Sequence, residues 1–193
     1  MQEFELLSIS HFLSFCICLA AIIFIPKFIQ AKPGLENSSK YFLVFLLVEN
    51  QIRSTYVETF IKGGNLLENL PLHLCDFSAI VIAVFLLTGF RPLFIFAYFW
   101  GIAGAGMSIL TPDSEFAFPH YEYFATMYGH SLILLAVVFS IVNLDQRPYL
   151  RDIPKLIFYS SILLVIMYVI NYILGANYWY LNERPYGDNI LSL

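Results

Sequence analysis

An all-α polytopic membrane helix bundle is the fold class that three observations predict. Of the 193 residues, 59% are hydrophobic and only 12% are charged. A soluble domain carries about 25% charged residues, enough to cover its surface in water. The mean hydropathy is +0.73. Apolar stretches recur along the chain, and crossing roughly 30 Å of hydrocarbon takes about 20 helical residues.

Six spans are predicted: 8–29, 41–61, 71–90, 92–110, 121–143 and 155–181. The first lacks a basic start and a small-residue cleavage pattern, so it reads as a retained helix and not a leader. Cys16 and Cys18 lie inside it as small lipid- or helix-facing residues, and three cysteines make no disulfide framework. "KPGLENSSK" separates it from the second span, and "KGGN" ends that one. The third span opens with Asn69 as N-cap and Pro71 in its first turn. "GFRP" starts the fourth, in which Gly101, Gly104, Ala105 and Gly106 form a close-packing surface. "TPDSEFAFP" and "DQRPYLRDIPK" bound the fifth. These connections run to about 12 residues at most, so successive helices are antiparallel neighbours in one bundle. Residues 1–193 form a single integral membrane domain with no repeat.

Basic residues orient the bundle. Lys27, Lys32, Lys40, Arg91, Arg147, Arg151 and Lys155 fall on one side, against Lys62 and Arg184 on the other. Seven against two places the N-terminus, "KGGNLLEN", "TPDSEFAFPH" and the C-terminal tail outside the cytoplasm. The expected location is the cell membrane, crossed several times.

Ionisable groups in spans are costly and face a bundle interior or a wet cavity. Here His11, Glu49, Asn50, Arg53, His73, Cys75, Asp76, His130, Asn171 and Asn177 all fall in the outer half of the spans. The inner halves are almost wholly Leu, Ile, Val and Phe. The pattern predicts a polar chamber open to one side, with a structural hydrogen-bond network as the alternative. Arg53, His73, Asp76, Asn171 and Asn177 are its candidate substrate-binding groups. Glu49 and Arg53, at i and i+4, read as an intrahelical ion pair.

Cys75 is the candidate nucleophile. It lies near the positive end of a helix macrodipole, which favours a thiolate. His73 projects about 200° away on a helix and cannot serve as its base unless the helix start is unwound. His73 and Asp76 share a face, where the carboxylate could orient the imidazole. His130 sits about ten residues into the fifth span, roughly 15 Å along its axis, and is the candidate base of a Cys–His pair. No H-x-x-x-H or H-x-x-E-H spacing appears, so neither metal nor cofactor is expected. A net charge of −4 argues against nucleic acid and leaves membrane lipids as partners.

"LPLHLCDFSAI", "GAGMSILTPD", "FPHYEYFATMYGH" and "NYILGANYWYLNERP", in that order, resemble the YwaF-type integral membrane proteins. These are bacterial relatives of transmembrane protein 164, and the resemblance runs from the first span to near the C-terminus. It implies a polytopic fold similar to an acyltransferase acting on ether phospholipids through an intramembrane cysteine and histidine. More distant androgen-induced and androgen-dependent lipid hydrolases use an analogous threonine–histidine pair. Carried over by motif, the nucleophile is Cys75 in "LHLCD" and the base His130 in "YGH". Family members usually continue into a further apolar span beyond "YGDNILSL", so the expectation is either a truncated chain or a missing seventh helix. The function expected is lipid acyl transfer or lipid hydrolysis, with Asn171, Asn177 or the start of the third span as oxyanion donor. The alternative is a non-enzymatic pocket that binds or transports a small molecule or lipid.

The orientation has a direct test. Single cysteines at Ser114 and Ser38 should label from outside and be protected, respectively, in cysteine-accessibility mapping. The reverse pattern would invert the topology.

Overall fold

The computed structural model describes residues 4–6 and 8–183. Among them no β-strand forms, and seven α-helices build the six spans. These are α1 (Ile9–Gln30), α2 (Glu36–Tyr56), α3 (Leu74–Thr88), α4 (Arg91–Trp100), α5 (Gly106–Leu110), α6 (Tyr121–Asn143) and α7 (Ile153–Leu174). Helices α4 and α5 are halves of the fourth span. The spans α1, α4–α5, α6 and α7 are long and apolar enough to cross a bilayer. The chain is a multi-pass membrane bundle. Arg184, counted on the outer side above, lies outside the described residues.

Local chemistry sets the ends. The Ser8 hydroxyl accepts from the His11 N–H at the start of α1, as a helix N-cap does. His120 does the same for α6 through the Glu122 N–H. Gly89 and Gly175 end α3 and α7 in the left-handed conformation, at φ +69° and +64°, where other residues are disfavoured. Helix α6 is the hub, packing against α1, α2, α3 and α5. Its Ala136, Val137 and Phe139 are wholly buried, as are Ile82 of α3 and Phe94 and Ala97 of α4. Helix α7 stands at the periphery with only Met167 and Asn171 buried. It is tied on by Trp100, whose Nε1 donates to Ser160 Oγ at 3.2 Å. At the opposite end Arg91 donates to both carboxylate oxygens of Asp152, at 3.1 and 2.7 Å.

Two spans are not uniform. The second continues past α2 as a π-helical turn over Val57–Ile61. The fourth carries another over Gly101–Ala105, between α4 and α5. Such turns insert a residue into an α-helix and are frequent at functional sites. The glycines there divide by role. A Cβ on Gly101 would lie 3.1 Å from Ile133 Cγ2 of α6, whereas Gly106 has nothing within 4 Å. Close packing is therefore the work of Gly101, not of the whole cluster.

The third span starts later than its sequence suggests. Helix α3 begins at Leu74 and not at 71, and its 15 residues reach only about 22 Å. Asn69 does not cap it. Asn65 starts a turn of its own, its Oδ1 accepting from the Leu67 N–H at 3.0 Å and its backbone oxygen from Asn69. The cap is His73, whose N–H donates to Asp76 Oδ2 at 2.9 Å. Asp76 thus holds the backbone of His73, where the sequence suggested that it held the ring.

The sixth span also ends early, at Leu174 instead of 181, and the chain turns back. The Asn171 side chain donates to Tyr178 O and accepts from Tyr178 N–H, both at 2.8 Å. That clamp carries Tyr178 and Trp179 onto the segment before α3. Tyr178 OH donates to Leu67 O at 2.7 Å and accepts from Leu70 N–H at 3.1 Å. Trp179 Nε1 donates to Leu72 O at 2.8 Å. Trp179 and Tyr180 adopt φ +60° and +51°, a conformation rare for aromatic residues and costing about 1–3 kcal/mol each.

Tyr178→Phe should therefore lower stability in detergent by about 1–3 kcal/mol, because two backbone groups lose their partner. Tyr172, 86% exposed, supplies the control, and Tyr172→Phe should leave the thermal midpoint unchanged. Equal midpoints for the two variants would mean that the turn-back does not hold the segment before α3.

Candidate functional site

A cavity of about 380 Å³ lies between α2, α3 and α6. Cys75 and Asp76 enter it from α3, His130 from α6 and Arg53 from α2. Cys75 is the second residue of α3, in the turn whose N–H groups have no partner within the helix. Its sulfur faces the fourth span at a glycine. A Cβ on Gly104 would stand 3.5 Å from Sγ, an ordinary van der Waals contact.

His130 is held by its own helix. Nδ1–H donates to Thr126 O at 2.8 Å, which leaves Nε2 as the unprotonated nitrogen of a neutral ring. Among the described residues no hydrogen bond joins His130 to Cys75. The two side chains share the cavity without touching through a polar contact, as base and nucleophile often do before substrate binds. Asp76 is fixed from two directions, by His73 N–H on Oδ2 and by Gln51 Nε2 on Oδ1 at 3.1 Å.

The remaining candidates lie elsewhere. His73 has its ring between Tyr178 and Tyr180, with centroids at 5.0 and 6.0 Å. Asn171 is buried under Tyr178, and Asn177 folds the chain end, donating to Glu183 O and accepting from Asn182 and Glu183. These three border a second, more open hollow of about 690 Å³ beside Glu68 and Asn69. Neither asparagine lines the Cys75 cavity, because α7 stops short and its end turns toward the 65–73 segment. The polar side chains that do line the cavity include Asn50, Gln51, Arg53 and Tyr121.

Sequence reading missed several cavity residues. Gln51 lines it, and its signal was present in "ENQIR", a polar run inside an apolar span. Gly129 is the approach point of α2 to α6, since a Cβ there would stand 2.9 Å from Asn50 Nδ2. Glu58, Lys62, Asp113, Tyr121 and Glu122 also line the wall. The Glu49–Arg53 pair forms as its spacing suggests, at 3.2 Å, with the side chains 36% and 27% exposed. Arg53 further donates to Asn50 Oδ1 and to the Tyr121 hydroxyl. Its guanidinium lies 5.8 and 5.7 Å from the ring centres of Tyr121 and Tyr128.

Comparison with known proteins agrees with this architecture. The profile of the TMEM164 family matches residues 6–193. A relative from Treponema pallidum (strain Nichols), described as an uncharacterized protein, is 30% identical over 128 residues. The match covers 66% of this chain and 53% of the relative, so the chain spans about half the length of that protein. No solved structure matches.

Arg53 has four partners where Glu49 has one, so the two are unequal. Arg53→Met should lower the thermal midpoint in detergent more than Glu49→Gln. The coupling between them should be about 0.2–1 kcal/mol, as for a partly exposed pair. Strictly additive losses in the double mutant would show that the carboxylate and guanidinium do not interact.

Proposed function

Because the chain belongs to the TMEM164 family, we propose that it is a membrane enzyme transferring or hydrolysing the acyl group of a lipid ester. The observation that carries this reading is the shared cavity. A thiol at the start of one helix and an imidazole with its Nε2 free on another open onto the same 380 Å³.

The chemistry follows from those two groups. His130 Nε2 takes the proton of the Cys75 thiol, and Sγ attacks the ester carbonyl carbon. The carbonyl oxygen gains the negative charge of the tetrahedral intermediate. The donors nearest to Cys75 are the N–H groups of Leu74 and Cys75 itself, which the helix does not use. The carbon–oxygen bond then breaks, and His130 returns its proton to the departing alkoxide of the lysolipid. A lysolipid hydroxyl or water attacks the thioester and gives its proton to His130; the carbon–sulfur bond breaks, and His130 passes the proton to the departing thiolate, restoring the thiol. Asp76 acts indirectly, by holding the first turn of α3 through His73 N–H.

A non-covalent reading, an outward pocket for binding or transport, draws on the π-helical turns that interrupt the second and fourth spans beside the cavity. The two readings part at the thiol. Cys75→Ala and His130→Ala should each abolish lipid turnover, with the double mutant no worse than either single change. Thermal stability should change little. Turnover that survives Cys75→Ala would end the thiol mechanism, and absence of turnover by the intact chain would leave the binding pocket in its place.

A further inference from the structure

We propose that the seam between α2 and α6 is a lateral gate, through which a long hydrocarbon chain passes from the bilayer to Cys75. The inference rests on the acyl-transfer reading for its purpose and on the seam itself for its mechanism.

Three contacts cross this seam in order along α2. Asn50 presses against the bare Gly129 backbone. One turn further, Arg53 bonds the Tyr121 hydroxyl and covers the rings of Tyr121 and Tyr128. At the end of the span Lys62 bridges Glu58 of its own helix and Glu122 of α6. The cavity with Cys75 and His130 lies directly behind, since Asn50, Arg53, Lys62, Tyr121, Glu122 and Gly129 all line it.

The outer face of the seam is apolar. Ile52, Tyr56 and Phe60 of the second span are 67%, 55% and 67% exposed, and Phe124 of α6 is 55% exposed. A hydrocarbon chain sliding along this surface meets Arg53 and the tyrosines, not a packed aliphatic wall. The latches are polar, partly exposed and mutually replaceable by a lipid headgroup or water, so each is weak. Lys62 directly follows the π-helical turn Val57–Ile61, where hydrogen bonding is less regular than in the α-helix below it. Movement is therefore cheapest where the seam is held by side chains alone, above the Asn50–Gly129 contact.

The test reads thiol labelling and does not need turnover. The full chain with Cys16→Ser and Cys18→Ala, leaving Cys75 as its single cysteine, is reconstituted in phosphatidylcholine vesicles. Two probes are compared: a small water-soluble maleimide, and a phosphatidylcholine bearing a maleimide at the end of one acyl chain. Lys62→Glu turns the latch against both Glu58 and Glu122. Labelling by the lipid probe should then rise about fivefold, the factor expected when a partly exposed ion pair becomes repulsive. Labelling by the small reagent should stay within about twofold. The exchange Lys62→Glu with Glu122→Lys restores the cross-seam pair and should bring the lipid probe back toward the starting rate. A lipid-probe rate that ignores Lys62→Glu, a rise in both probes together, or a rise that the exchange does not reverse would overturn the gate. So would failure of either probe to label Cys75 in every variant. The acyl-transfer reading is judged separately, on turnover by Cys75→Ala, so a failed gate and a failed enzyme give different results.

Discussion

Backbone satisfaction inside the membrane is the constraint on which the rest of this structure depends. Unpaired N–H and C=O groups cannot be left facing lipid, and irregular backbone survives at depth only where protein covers it. The segment before α3 is irregular backbone beside a span, and it is covered by the returning C-terminal turn. Tyr178 and Trp179 supply a hydroxyl and an indole N–H to Leu67, Leu70 and Leu72. Asn171 in turn holds Tyr178 by both sides of its amide. The left-handed φ values of Trp179 and Tyr180 are a local cost that these contacts offset.

The position of Cys75 follows from this arrangement. Were the third span helical from residue 71, the thiol would lie in its second turn with its backbone N–H bonded within the helix. Shortening the helix to Leu74 puts Cys75 in the first turn instead. There the N–H groups of Leu74 and Cys75 have no partner within the helix. Asp76 closes the turn on His73, and Gln51 carries the restraint across to α2. A single local choice, where a helix starts, therefore links the C-terminal turn to the chemistry of the thiol.

The cavity also shows how polar side chains coexist with a membrane span. Arg53 and Lys62 are each paired with carboxylates, and Arg53 is further bonded to Asn50 and Tyr121. None of these groups stands unpartnered against hydrocarbon, which would be expensive. Partial exposure keeps each pair weak.

Composition and local spacing by themselves determined the membrane class, the all-α helix bundle and the run of apolar spans. These depend on hydropathy over about 20 residues and on neighbours three or four apart, which the chain displays directly. The Glu49–Arg53 pair was legible for the same reason. Tertiary structure alone decided that α3 starts at Leu74, that Asn171 and Asn177 serve the C-terminal turn, and that Gly129 admits Asn50. Each of these rests on a partner far away in the chain. Trp179 meets Leu72 across 107 residues, and Lys62 meets Glu122 across 60. A helix boundary is a competition between local capping and distant hydrogen bonds. Only the folded bundle brings the second competitor within reach.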